Sequence, residues 1–425
     1  MNNFAIHPSK LSGKLVIPPS KSHSLRAIVF AMLGQGITRI DNVLSSTDCD
    51  ALLQAISIFG ANVQRQGNRL EIEGHFGPAR DIIDAGNSGQ ILRFTGALAA
   101  LLPSYTEITG DVSVRTRRPI KPLLGALRDL GAIAESARGD GHAPILIRGP
   151  IHPGTCRLNG EDSQPVSALL IATSFLDSTT DIFVENPGEL PWINLTLDWL
   201  KRLGASISHH AHCHYQVKGG LSYSGITYTV PGDFSTAAFP IAAALITQSK
   251  LAIEGLDPDD VQGDKMFIDI LVQMGAHIHW DEKTLVIEPS ELKGKTIDVN
   301  ACIDALPILA VIGCFAQGST TIQNGAIARF KESDRISTIC GELKKMGADI
   351  TEHPDGFTVN HSKLKAATLN AHRDHRIALS LSVAALAAEG TSIVEDAECI
   401  AKTYPSFIED FQKCGAQIEL DLVRV

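Results

Sequence analysis

Two hydrophobic patterns alternate along this chain. Six stretches are apolar on every side and open on a short polar turn: Ser22–Leu33, Ser88–Leu102, Ser163–Leu176, Phe234–Ile246, Asp304–Ala316 and Asp374–Ala388. Helices apolar all round are predicted to be buried all round. Between them run amphipathic helical patterns such as LLQAISIF, LLGALRDL, LDWLKRL and CGELKKM, each followed by Gly-Ala. That dipeptide recurs at Gly60, Gly131, Gly204, Gly275, Gly347 and Gly415, with a period of roughly 70 residues. A glycine just past a helix fits the C-cap, where φ must be positive. Alternating segments predict hairpins at Asn62–Gly74, Ser206–Gly219, His277–Pro289 and Asp349–His361. Further strands are predicted at Ile37–Val43, Tyr105–Gly110, Asp181–Asn186, Lys250–Gly255, Thr320–Asn324 and Thr391–Asp396.

The repeating unit is therefore strand, buried helix, strand, amphipathic helix and two hairpin strands. Six such units account for the chain. A solenoid is one way to stack repeats, but these central helices are too apolar for a stack with an open face. The expectation is an α/β protein of two lobes, three units each, with helices inside and sheets outside. Lobe one is expected at 13–229, and lobe two at 1–12 together with 230–425. The N-terminal strand Phe4–His7 is expected to pair into lobe two.

Composition narrows the function. With 425 residues and only 5% aromatics, the cores must be built mainly from Ala, Leu, Ile and Val. No apolar run reaches the ~18–20 residues of a membrane span, and the N-terminal MNNFAIHPSK has no apolar h-region, so neither a membrane protein nor a signal peptide is predicted. The eight cysteines form no CxxC pair, which predicts buried free thiols in a reducing cytoplasm. The net charge of −10 argues against a nucleic-acid partner, which needs a basic face.

Against that acidic background, cations gather at one phase of the repeat. Each buried helix starts with free N–H groups and a positive dipole end, a site suited to anions. At these starts stand Lys21, Ser22 and Arg26; Asn87, Gly89 and Arg93; Asp162, Ser163 and Gln164; Asp233; Asp304; and Asp374, His375 and Arg376. The loops before the amphipathic helices add Arg115, Arg117 and Arg118 in RTRRP, Lys331, Glu332 and Arg335 in KESDR, and Lys402 in AKTYP. Two lobes facing each other would bring six helix starts around one cleft. A single loop charge is usually just solvated, but recurrence at one phase points to small, multiply anionic ligands, since Arg and Lys suit carboxylate and phosphate. Asp304 and Glu332, set among these cations, are candidates for acid–base chemistry.

The ordered motifs PPSKSHSLRA, GNSGQILRF, RRPI, DSQPVSALL, PGDFSTAAF, IDALPILA, KESDRI, DHRIAL and AKTYP resemble those of the enolpyruvyl transferases over nearly the full length. The resemblance is to the branch acting on shikimate 3-phosphate. It implies a two-lobe inside-out α/β barrel of six βαβαββ repeats. It also implies transfer of the enolpyruvyl group of phosphoenolpyruvate to the 5-hydroxyl of shikimate 3-phosphate, with release of phosphate, in aromatic amino acid biosynthesis. Lys21, Ser22, Arg26, Ser163, Gln164, Asp304 and Lys331 would hold shikimate 3-phosphate. Lys21, Gly89, Arg118, Gln164, Arg335, Arg376 and Lys402 would hold phosphoenolpyruvate. Asp304 would take the hydroxyl proton and Glu332 would protonate the methylene carbon, with Lys21 also counted as catalytic. No metal or other cofactor is implied. A monomeric cytoplasmic enzyme is expected, with small-molecule substrates and no nucleic-acid or membrane partner.

The chain departs from the family pattern at three positions. Asp162 precedes Ser163-Gln164 where a serine is usual, and beside a phosphate it calls for neutralisation by Arg26 or Lys331. Glu189 in GELPW stands where a serine commonly contacts the same phosphate, and Ile327 replaces an asparagine. RTRRP is one residue longer than usual, so Arg118 is chosen because it precedes Pro119, with Arg117 as the alternative. The loop GDVSVRTRRP lacks the reactive cysteine of the enolpyruvyl transferases that use UDP-N-acetylglucosamine. In HHAHCH, His210, His212 and His214 alternate and would share a strand face, but the repeat places them in an exposed hairpin rather than a metal site. Asp257–Asp260 lacks EF-hand spacing and reads as a solvated loop. His375 is either an acid–base group or an orienting one.

Overall fold

The six all-apolar stretches form central helices. They are Lys21–Leu33, Gly89–Ala99, Ser163–Thr173, Phe234–Ile246, Leu306–Phe315 and His375–Leu386. Every residue of Phe234–Ile246 is buried, as its lack of a polar face requires. The structure is a computed structural model and describes residues 2–422. It divides into two units: one runs through Ser20 and resumes at Pro231, and the other is Lys21–Val230. Each unit has its own apolar core.

Outside the central helices pack Thr47–Ile58, Lys121–Asp129 and Leu190–Arg202 in one unit. Met266–Gln273, Arg335–Lys345 and Phe407–Lys413 do so in the other. Each ends on the Gly-Ala signal. The six glycines have φ between 89° and 111°, and the alanine N–H reaches back five residues: Ala61 to the Ile56 carbonyl at 3.0 Å, Ala205 to Leu200 and Ala416 to Phe411 at 2.9 Å. This is the Schellman closure, which satisfies carbonyls that the helix end leaves open.

Among the described residues there are six four-stranded sheets of one pattern, a parallel pair followed by two antiparallel strands. Thr155–Asn159 runs parallel to Thr179–Glu185, which pairs antiparallel with His214–Lys218, with Ser206–His210 at the edge. In Thr179–Glu185, Thr180, Ile182 and Val184 point into the core, so each sheet covers its helices with one face. Both units are inside-out in this sense, with helices in the middle and sheets around them.

Three strands complete repeats far away in sequence. Asn2–His7 lies between Ser392–Glu395 and Gln417–Leu422, with Phe4 opposite both Val394 and Leu420. Thr227–Thr229 returns to run parallel to Gly36–Asp41. Lys14–Val16 pairs in parallel with Leu251–Glu254, so the first crossover falls after Ser20, later than the boundary at 12 expected from sequence. The sequence reads a short strand at Leu15–Ile17, and the structure has it at Lys14–Val16; its partner, and so the unit it joins, is set by the fold. A hairpin that the repeat calls for, but that local alternation did not mark, joins Ile133–Ser136 to Ile145–Arg148. The intervening Ala137–Pro144 breaks the alternation there.

The histidine-rich hairpin needs one correction. His210 ends a strand, His212 sits in the turn at φ 56°, and His214 opens the next strand, so the three do not share a strand face. His212 Nδ1 lies 2.7 Å from the Tyr215 hydroxyl and His214 Nε2 2.7 Å from Asp181 Oδ1. Six of the eight cysteines are buried; Cys213 is exposed and Cys399 partly so. No helix among the described residues is long and apolar enough to cross a membrane.

Candidate active site

In the unit Lys21–Val230, the starts of Gly89–Ala99 and Ser163–Thr173 meet. Asp162 caps the helix Ser163–Thr173 through the Gln164 N–H at 3.0 Å. Its other carboxylate oxygen takes Arg93 Nη2 at 2.8 Å. Arg93, almost fully buried, also donates to the Gly89 carbonyl at 3.0 Å, Gln164 Oε1 at 3.1 Å and the Pro119 carbonyl at 2.9 Å. Burial pushes its guanidinium below the ordinary range, and Asp162 opposes that shift. Arg93 thus neutralises Asp162, a partner that the sequence did not suggest.

A Cβ built on Gly89 would stand 2.5 Å from Arg93 Nη1, 2.7 Å from Arg118 Nη1 and 3.2 Å from Gln164 Oε1. Gly89 therefore lets two guanidiniums close on this helix start. It also places Arg118, which is buried, in this cluster, whereas Arg117 is only partly buried. Arg26 is turned inward. It donates to Thr196 Oγ1 at 2.8 and 3.0 Å, to the Trp192 carbonyl and to the Ser22 carbonyl, both at 3.1 Å, and its charge stands over the Phe94 ring. Burial pulls it down to about 9. Lys21 opens the first helix with Nζ 3.6 Å from Asp48 Oδ2. Ser163 is held by Glu189 through its N–H and its hydroxyl.

In the other unit, one guanidinium organises the acids. Arg335, 1% exposed, donates to Asp304 Oδ1 at 2.7 Å and to Glu332 Oε2 at 2.8 Å. It also donates to both oxygens of the fully buried Asp374, at 2.9 and 3.2 Å. Burial alone would lower Arg335; Asp374, Glu332 and Asp304 outweigh it and hold the group well above its ordinary value. Asp374 caps the helix His375–Leu386 through the Arg376 N–H and also accepts from Ser333 Oγ. Arg376 donates to Asp304 Oδ2 at 3.2 Å and to the Ser235 carbonyl at 2.9 Å. Lys402 Nζ meets Glu332 Oε1 at 2.8 Å, and His375 Nδ1 lies 4.0 Å from the same oxygen. Lys331 is buried beside them in sequence, and Ile327 packs against the core. Glu332, Asp374 and His375 could together ligate a cation, but Arg335 and Lys402 already compensate the two carboxylates.

Asp304 lies in the turn Asn300–Ala305, two residues before the central helix and not on its first turn. Pattern reading passed over Asp264, which is buried and bonded to Ser235 Oγ. It stands in Gln262–Lys265, the loop before the fourth outer helix, the same phase as RTRRP, KESDR and AKTYP. That phase was the available signal; the neighbouring acidic run obscured it.

Buried helix starts repeated through the chain, and acids gripped by buried arginines, are the features by which this chain resembles the enolpyruvyl transferases. The enolpyruvyl transferase NikO from Streptomyces tendae shares the fold at a TM-score of 0.80, with 18% identity, covering 100% of this chain and 99% of that one. The EPSP synthase from Acinetobacter baumannii superimposes at a TM-score of 0.83, with 27% identity, over 99% of this chain and 100% of that one. The 3-phosphoshikimate 1-carboxyvinyltransferase of Chlamydia caviae is 43% identical over 424 residues, 99% of this chain and 95% of the relative. A family profile described as EPSP synthase (3-phosphoshikimate 1-carboxyvinyltransferase) matches residues 6–411. The chain belongs to that family.

Proposed function

We propose that this chain transfers the enolpyruvyl group of phosphoenolpyruvate to the 5-hydroxyl of shikimate 3-phosphate, releasing phosphate, with the residues assigned above. Asp304 takes the hydroxyl proton. Glu332 protonates the methylene carbon of phosphoenolpyruvate, and the hydroxyl oxygen attacks the resulting cationic carbon. In the second half, Glu332 takes a proton back from the methyl group as the C–O bond to phosphate breaks, and the proton on Asp304 leaves with the phosphate. Lys21, Gly89, Arg118, Gln164, Arg335, Arg376 and Lys402 hold phosphoenolpyruvate. Lys21, Ser22, Arg26, Ser163, Gln164, Asp304 and Lys331 hold shikimate 3-phosphate. Two phosphates and a carboxylate repel one another, and fixed cations remove that cost before reaction.

The observation that carries the reading is the Arg335 clamp, which bonds both Asp304 and Glu332 from one buried guanidinium. In this structure Glu332 pairs with Arg335 and Lys402. An incoming phosphate or carboxylate competes for both cations, and a carboxylate stripped of cations holds a proton more readily. Donor binding thereby turns Glu332 from an ion-pair partner into an acid. His375, beside it, orients or relays that proton. The enzyme acts as a monomer in the cytoplasm; its mostly buried free thiols fit a reducing compartment. The test is phosphate release from phosphoenolpyruvate. It requires shikimate 3-phosphate and is absent with UDP-N-acetylglucosamine; release without an acceptor, or with the nucleotide sugar, overturns the reading.

A further inference from the structure

The turn Gly263–Lys265 packs against Asn300–Ala305 and the start of Phe234–Ile246, and it holds a carboxyl with no role so far. Asp264 is 1% exposed. Ser235 Oγ bonds its Oδ2, while Oδ1 has no hydrogen-bond partner among the described residues. An ionised buried carboxylate needs several donors; a single hydroxyl suits a neutral acid. Ser235 leads onward, since its carbonyl accepts Arg376 Nη1 at 2.9 Å and Arg376 Nη2 reaches Asp304 Oδ2 at 3.2 Å. Gln262 braces the same helix start, accepting from the Phe234 N–H at 3.2 Å and donating to the Gly232 carbonyl at 2.9 Å.

We propose that Asp264 is a positioning residue: as a neutral acid it fixes Ser235, and through the Ser235 carbonyl it aims Arg376 at the anionic donor, a grip that ionisation of Asp264 weakens. The charged and titratable groups around it are Asp304 and Cys302 from Asn300–Ala305, Asp233 at the start of Phe234–Ile246, and Arg376 from His375–Leu386. Burial pushes the acid up to about 7 and Asp304 adds to that, while Arg376 and the Ser235 bond oppose it. Ionised, Asp264 places a second negative charge beside Arg376 and competes with the donor for it.

This inference rests on the assignment of Arg376 to phosphoenolpyruvate, and its test separates the two. KM for phosphoenolpyruvate is measured from about pH 6 to about pH 9 for the wild type and for Asp264→Asn. Titration of the substrates is common to both, so the quotient of wild-type over variant KM isolates Asp264. That quotient is expected to rise about three- to tenfold with pH, with its midpoint near neutrality. A flat quotient overturns the inference. Ser235→Ala removes a bond that lowers the acid's pKa, so it is expected to move the rise in KM to higher pH; an unmoved profile also overturns it, which covers the case of an Asp264→Asn chain that does not fold. A wild type that releases no phosphate from the two substrates overturns the assignment itself.

Discussion

Glu189 Oε2 accepts two hydrogen bonds from Ser163, 3.0 Å from its N–H and 2.9 Å from its hydroxyl. Glu189 is 1% exposed and holds φ 48°, left-handed backbone at the start of Leu190–Arg202. A carboxylate therefore occupies the donors of a residue assigned to the phosphate of shikimate 3-phosphate. Glu189→Gln keeps an acceptor for Ser163 and removes the charge. At an effective dielectric near 20, a like charge costs about 1 kcal/mol or more. Steady-state kinetics should show KM for shikimate 3-phosphate lower by roughly fivefold; a higher KM would mean that the glutamate helps the phosphate.

Asp304→Ala removes the proposed base while Arg335 keeps Glu332 and Asp374 as partners. Turnover is expected to fall about a hundredfold or more, with KM for either substrate changing far less. Kinetics that show lost binding at unchanged turnover would remove Asp304 from the role.

Lys21→Met should raise KM for both substrates by on the order of tenfold, since one ammonium is assigned to both anions. Binding of each substrate measured by calorimetry checks this. An effect on one substrate alone refutes the shared role.

Arg335→Ala leaves Asp374 and Glu332 buried without their main cation. Breaking such a network costs about 3–5 kcal/mol. Urea unfolding should show that loss, and Arg335→Lys should recover only part of it because an ammonium lacks the planar fork.

Stability should also report on Asp264. Its acid is held up to about 7 in the folded chain, against an unfolded value of about 3.9. The folded state therefore binds the proton more tightly. Its penalty is absent below about pH 4, grows as pH rises toward about 7, and stays constant above that. Asp264→Asn lacks that penalty. Relative to wild type, its melting temperature should be higher at pH 8 than at pH 5 by on the order of 2–4 °C; equal differences at both pH values would contradict an elevated acid.

The sequence by itself determined the repeat, the six buried helices and the position of each Gly-Ala closure, because burial all round and a positive-φ glycine are local requirements that residue types state directly. It also placed Lys21, Asp304 and Arg376 near the starts of buried helices, and Arg118, Glu332, Arg335 and Lys402 in the loops before the amphipathic ones. Only the tertiary structure decided that Lys14–Val16 belongs with Leu251–Glu254, since a three-residue strand takes its identity from its partner. It alone decided that Arg93 answers Asp162, that Glu189 holds Ser163, and that Asp264 reaches Arg376 through a backbone carbonyl. Charge pairing among buried groups is settled by distances of a few ångströms between residues far apart in sequence, and no pattern along the chain carries those distances.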